Sequence, residues 1–195
     1  MRIVGGEWRG RKIEPPRGRE ISRPTTDRVR EAMASMIASA LDDGIEGVRA
    51  LDAFAGTGAL GIEMLSRGAA GCTFFDIDRG AAALVRRNLD QLGCAPSRYR
   101  VVSGDAAQAA RRGRVPGGPF GLVLMDPPYA LGNEPGLALL SALADAGLLA
   151  PGAVALFERS EQTPALEVSD FIPLREKRYG ITAVDLLRYE PDSTC

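Results

Sequence analysis

Asp126-Pro127-Pro128-Tyr129 brings together residue types that could do chemistry on an amino group. Behind it runs Phe120-Gly121-Leu122-Val123-Leu124-Met125, apolar enough for a buried strand of a parallel sheet. Proline supplies no ladder donor, so Pro127 ends that strand and leaves Asp126 at its carboxyl tip, where open α/β sheets bind ligands. An exocyclic amine on a nucleobase is a poor nucleophile, because its lone pair is delocalised into the ring. Asp126 and the carbonyl of Pro127, accepting its two N–H bonds, would draw the nitrogen toward tetrahedral geometry and free the lone pair. Tyr129 offers a ring on which an unstacked base can lie. Asp126, Pro127 and Tyr129 are therefore the catalytic candidates. The structural alternative is a strand-ending turn with a surface tyrosine, and four residues alone do not separate the two.

The chain of 195 residues contains no histidine. Ser-His and Cys-His nucleophiles and histidine metal ligands are thereby removed. Cys72, Cys94 and Cys195 are scattered without ligand spacing, so no metal site is expected. Their sparse usage points to a reducing cytoplasm. No run approaches the roughly 18 apolar residues of a membrane span, and the first residues lack the apolar core of a signal peptide. A soluble monomer without membrane contact is expected.

The elements that must position Asp126 follow from periodicity and punctuation. Helices are predicted at about 26–41, 59–67, 78–92 and 135–147, the first capped by Thr25 or Thr26. Strands are predicted at 48–54, 71–75, 99–103, 120–125 and 153–158, followed by a hairpin of 171–178 with 181–189. The first strand runs into Ala55-Gly56-Thr57-Gly58-Ala59-Leu60-Gly61, a G-x-G-x-x-G turn that opens a helix. That turn alone fits a dinucleotide or S-adenosylmethionine (SAM) equally. Asp52 at the strand tip suits the positive amino group of SAM and would repel a pyrophosphate, although it could instead cap the turn. Asp76, 20 residues beyond Gly56, stands where a ribose diol is gripped, with Ile77 beside the adenine. Asp105 can accept from the adenine amine or serve only as a helix cap. With Phe54 and Asp126, the cofactor-binding candidates are Asp52, Phe54, Gly56, Gly58, Asp76, Ile77, Asp105 and Asp126. A sulfonium methyl donor would need neither metal nor covalent intermediate, and would leave as S-adenosylhomocysteine.

The net charge of −1 hides an asymmetry. Residues 1–30 hold nine Arg/Lys against four acids, and the other 165 residues hold 15 against 21, giving +5 and −6. A basic arm on a slightly acidic body suits polyphosphate, or is a solvated tail. The arm is read as residues 1–24, a small β-hairpin, with the main domain at 25–195. Arg2, Trp8, Arg9, Arg11, Lys12, Arg23, Thr25 and Arg28 are its candidate RNA contacts. Trp8 either stacks on a nucleotide or packs the hairpin onto the domain.

Taken together, the blocks of residues 1–12, 23–31, 52–63, 126–129 and 175–180 resemble the RsmD family of bacterial 16S ribosomal RNA guanine-N2 methyltransferases. The two N-terminal blocks are the specific part, since the glycine turn and Asp-Pro-Pro-Tyr recur across many amino-methyltransferases. The resemblance implies an α/β, Rossmann-like, SAM-dependent methyltransferase fold with a mostly parallel seven-stranded sheet and a C-terminal antiparallel hairpin. It implies SAM as donor and, as acceptor, the exocyclic N2 amine of a guanine (a guanine-966-type site) in 16S rRNA. The partner would be the small ribosomal subunit or its assembly intermediate. Two positions depart from the family pattern: Asp76 where Glu is frequent, and Gly121 where an Asp usually follows the phenylalanine. Other readings are a DNA or RNA amino-methyltransferase acting on adenine N6 or cytosine N4, an NAD-dependent oxidoreductase, and a silent RNA-binding assembly factor.

Overall fold

The computed structural model describes residues 1–16 and 26–191. Helix α1 (Asp27–Ala40) precedes β1 (Arg49–Asp52), α2 (Ala59–Ser66), β2 (Gly71–Asp76), α3 (Arg79–Leu92) and β3 (Tyr99–Ser103). Helix α4 (Ala106–Arg111), β4 (Phe120–Met125), α5 (Glu134–Asp145), β5 (Leu149–Ser160), β6 (Phe171–Tyr179) and β7 (Thr182–Tyr189) complete the chain. The strands form one seven-stranded sheet in the order β3-β2-β1-β4-β5-β7-β6. Pairing is parallel from β3 to β5 and antiparallel for β7 on β5 and β6 on β7. The fold is the Rossmann-like one expected, with every predicted strand present.

Alternation along the strands splits the core in two. Ala50, Leu122, Leu124, Val154, Leu156, Val184 and Leu186 pack on the face covered by α1, α2 and α3. Leu51, Ala53, Val123, Met125, Ala155, Phe157 and Leu187 pack on the face covered by α4 and α5. Strand β5 begins four residues earlier than predicted and includes Pro151 and Gly152. Its register against β4 shifts between Phe120 and Leu122, which places Gly121 at the irregularity. Helix α4 was not predicted; six residues carry too little periodicity to stand out from a basic loop.

The described part of the expected arm, residues 1–16, packs into the core rather than standing as an appendage, and residues 17–24 lie outside the described residues. Arg2 and Lys12 form a single antiparallel bridge, closed by Ile3 N–H on Arg11 and Gly10 N–H on Ile3. Ile3, Trp8 and Ile13 are buried in the cluster that also holds Met33, Met36 and Ile62. Glu63, fully buried on α2, accepts from the backbone of Val4 at 2.9 Å and Gly5 at 2.8 Å. Ser66 accepts from Trp8 N–H, and Asn88 on α3 accepts from Glu14 N–H at 2.7 Å. Removing the indole should therefore leave a core cavity. Trp8→Ala is expected to cost about 3–5 kcal/mol in urea unfolding; a cost below ~1 kcal/mol would mean that the segment is detachable.

Candidate active site

The order in which the strands are laid down reverses between β1 and β4, and ligands of open α/β sheets bind in the crevice at such a point. Asp52 ends β1, and Asp126 follows directly on β4. Met125 pairs with Phe157, so the next residue on each strand sets Asp126 beside Glu158. Met125 and Phe157 face the α4/α5 side, and strand alternation turns the two carboxylates toward the α1 side. Asp52 faces the same way, between Leu51 and Ala53 of the opposite core. Burial, then the charges of Glu158 and Asp52, hold the Asp126 carboxyl well above the usual carboxylate range.

Tyr129 opens a single 3₁₀ turn, Tyr129–Leu131, directly after the two prolines. Its hydroxyl donates to Glu158 Oε1 at 2.7 Å and lies 2.7 Å from Thr182 Oγ1. Tyrosine has one O–H, so Thr182 is the donor in the second bond. Burial pushes the phenol up from its ordinary value, and the neighbouring carboxylates Glu158 and Asp126 add to the shift. The ring is thus held at its far end by β5 and β7 while its face stays half-exposed. Glu158 and Thr182 escaped the sequence reading. A lone acid at the end of the apolar run Ala153–Phe157 was the available signal for Glu158; Thr182 had none.

The glycine turn lies beside this crevice. Gly56 and Gly58 adopt φ of +54° and +81°, a conformation that L side chains rarely adopt, and the space where a Cβ of Gly56 would stand is open. At Gly61 the reason for glycine differs: a Cβ there would lie 2.4 Å from the Phe74 ring. Asp52 accepts from Gly61 N–H at 3.0 Å, and the Phe54 amide also favours its ionised form. Burial nevertheless pushes its carboxyl up to about 7. Asp52 therefore caps the turn, and it also stands ready to be neutralised by a cation. Asp76 accepts from Gly56 N–H and Asp78 N–H, both at 2.8 Å, which ties β2 to the glycine turn. Ile77 is 78% exposed at the same edge, an apolar platform beside two carboxylates. Asp105 accepts from Gln108 N–H as the cap of α4, with its side chain in solvent. Phe54 is half-buried on the α4/α5 side. An open glycine turn, a charge-seeking carboxylate and an exposed isoleucine are a donor set that fits SAM.

The candidate RNA contacts divide. Trp8 is only 4% exposed and lies under the Arg98 guanidinium, 5.6 Å from the ring centroid, so it packs the core and cannot stack on a nucleotide. Arg11 donates to the carbonyls of Leu92 and Gln91, completing the carboxyl end of α3. Arg2 pairs with Asp27 at 2.6 Å. Arg9, Lys12 and Arg28 are exposed. Arg23 and Thr25 lie outside the described residues. Among the described residues no group of His, Cys, Asp and Glu could hold a metal ion, and no helix is long and apolar enough to cross a membrane.

The shift at Asp52 has a sign that can be measured. In the unfolded chain the group titrates near 3.8 and in the fold near 7. The folded state therefore binds the extra proton between these values, and stability contributed here falls as pH rises from about 4 to about 7. Asp52→Asn should match the parent near pH 4 and exceed it at pH 8 by up to about 4 kcal/mol in urea unfolding without ligand. Equal stability of the two proteins at both pH values would remove the burial argument.

A sequence profile of the family described as conserved hypothetical protein 95 matches residues 1–188. The chain is similar to ribosomal RNA small subunit methyltransferase D of Escherichia coli, 41% identical over 133 residues, which are 68% of this chain and 62% of that protein. It is also similar to ribosomal RNA small subunit methyltransferase D of Haemophilus influenzae, 31% identical over 95% of this chain and 92% of that protein. The solved structure of yhhF from Escherichia coli superposes with a TM-score of 0.78 at 34% identity, covering 97% of this chain and 98% of the other. The match over nearly the whole length shows that this chain belongs to the RsmD family.

Proposed function

We propose that the protein transfers a methyl group from SAM to the exocyclic N2 amine of a guanine in 16S rRNA of the small ribosomal subunit. The observation that carries the reading is the crevice itself, in which Asp126, Pro127 and Tyr129 follow β4 while the glycine turn and Asp52 follow β1. The names of the relatives support rRNA as the acceptor. When bound, SAM supplies a methyl group on a positively charged sulfur and leaves as neutral S-adenosylhomocysteine.

The residues of this chain do the rest. Asp126 and the Pro127 carbonyl accept the two N–H bonds of the amine and fix its lone pair toward the donor side of the crevice. The half-buried Tyr129 ring supplies a face for the base, and its tether to β5 and β7 limits where that base can lie. Asp52 offers its carboxylate to the amino group of the donor, and Ile77 its side chain to the adenine. Once nitrogen has gained the methyl carbon it bears a positive charge and must shed a proton. Asp126 receives it, and a carboxyl shifted upward by burial and by Glu158 is a stronger base than an ordinary one. Arg9, Lys12 and Arg28 would meet rRNA phosphates, together with Arg23 and Thr25.

Tritium transfer from labelled SAM into small subunits from a deletion strain, set against naked rRNA and DNA, tests the acceptor. Calorimetry should show binding of SAM but not of NAD. Asp126→Ala should abolish transfer while SAM affinity and folding stay near those of the parent. Asp126→Asn separates geometry from charge: residual turnover marks hydrogen-bond acceptance as dominant, and complete loss marks charge. Wild-type turnover in Asp126→Ala would sink the assignment of this stretch.

A further inference from the structure

Strand β6 carries two cations that the proposed reaction leaves unused. It is the outer strand of the sheet, and its residues from Ile172 to Arg178 are exposed. Its pairing with β7 sets Arg175, Lys177 and Tyr179 opposite Leu186, Val184 and Thr182. Leu186 and Val184 belong to the face covered by α1, so Arg175 and Lys177 share that face. Neither forms a hydrogen bond or an ion pair among the described residues. The opposite face of the same strand is neutralised: Glu176 pairs with Arg178 at 2.9 Å and with the buried Arg159 at 3.3 Å. One side of β6 is balanced and the other is bare.

The bare side borders the crevice. Arg188, near the end of β7, donates to the carbonyl of Ala40, the last residue of α1. Tyr179, opposite Thr182 at the start of β7, donates its hydroxyl to Met36 Sδ at 3.8 Å, one helical turn earlier. Helix and strand therefore run in the same sense, and the start of α1 lies toward the start of β7, where Thr182 meets Tyr129. Arg28, Ala32 and Met36 form one i, i+4, i+8 row, which carries the exposed Arg28 along α1 toward that end. Burial pushes the Tyr179 phenol up, and the charges of Arg175 and Arg28 pull it back. Two exposed cations from distant elements thus stand around one aromatic hydroxyl. The acids of α1 do not neutralise them, because Asp27 is held by Arg2 and Arg30 and Glu31 by Arg67.

We propose that Arg28, Arg175 and Lys177 form a strip that holds the phosphodiester backbone of the RNA strand leading into the crevice. The proposal rests on the methyltransferase reading given above and names a surface by which its RNA is held. Charge complementarity carries it. These cations are exposed and have no acidic partner among the described residues, on a chain whose net charge is −1. Arg175 and Lys177 stand about 7 Å apart along the strand, held by the sheet rather than by a loop. Phosphate contacts of this kind position a nucleic-acid strand without reading its sequence, and the reading of the base is left to the crevice.

Arg175→Gln/Lys177→Gln removes two of the three charges. Dissociation constants for small subunits from a deletion strain are measured across a salt series with S-adenosylhomocysteine present, so that binding is read without turnover. Binding is expected to weaken about tenfold or more, and the slope of log K against log salt to become shallower by about 1.4, as for two single-stranded phosphate contacts. KM should rise, while kcat at saturating subunits, SAM affinity and urea stability stay near those of the parent. Arg111→Gln/Arg112→Gln makes the same change in net charge at exposed cations that end α4, where the chain turns back to the start of β4. That pair should leave binding within about twofold of the parent. If the two pairs act alike, the effect is one of net charge and the strip is overturned. Charges on an open edge strand can also serve only to block pairing with another chain. Arg175→Glu/Lys177→Glu keeps the edge charged, so that role predicts parental binding, which would overturn the proposal. The strip predicts weaker binding than in the glutamine pair. A parent that binds small subunits but transfers no methyl group would overturn the methyltransferase reading and leave the strip standing, so the two failures are distinct.

Discussion

Asp52 ends β1, Asp126 follows β4 and Glu158 lies near the end of β5, on three neighbouring strands of the sheet, with Asp52 and Glu158 buried. Burial raises the carboxyls of Asp52 and Asp126, and the charges of Glu158 and Asp52 add to the shift at Asp126. The surrounding structure is arranged to hold them. Gly61 N–H and the Phe54 amide reach Asp52, and the Tyr129 hydroxyl, backed by Thr182, reaches Glu158. Even so, Asp52 and Asp126 remain shifted upward. Strain of this kind persists at ligand sites because the ligand relieves it. A sulfonium with its ammonium group would bring positive charge to these carboxylates.

The architecture was legible because its signals are local and repeated. Apolar runs bounded by turns announced the strands, and the 3.6-residue stripe of Val29, Met33, Met36 and Ile37 announced α1. Thr26, one of the two expected candidates, caps α1, and Asp78 caps α3. The glycine turn was legible for the same reason, since φ near +54° and +81° selects glycine at Gly56 and Gly58. The register shift between Phe120 and Leu122 places Gly121 at an irregularity in strand pairing.

What stayed hidden depends on which distant residues face each other. Glu158 acquires its place only when β5 pairs with β4, and Thr182 only when β7 folds back on β5. Charge counting made the N-terminal segment look like a loose basic arm. It could not show that Ile3, Trp8 and Ile13 point inward, or that Arg11 finishes α3. Asn88 is the clearest case. A fully buried asparagine in the middle of a helix has no local explanation, and its partners lie 74 and 31 residues away.

Those partners are Glu14, in the N-terminal segment, and the carbonyl of Thr57, in the glycine turn, which the Asn88 amide reaches at 2.9 Å. Glu63 similarly binds Val4 and Gly5 across 59 and 58 residues of sequence. Residues 1–14 can meet α1 through Arg2 and Asp27, but their bonds to Glu63 and Asn88 form only after α2 and α3 have been made. Non-local closures of this length are the slow steps of folding, and exposed apolar segments are where nascent chains stick to one another. Residues 1–14 thus precede in synthesis the helices that hold them through Glu63 and Asn88.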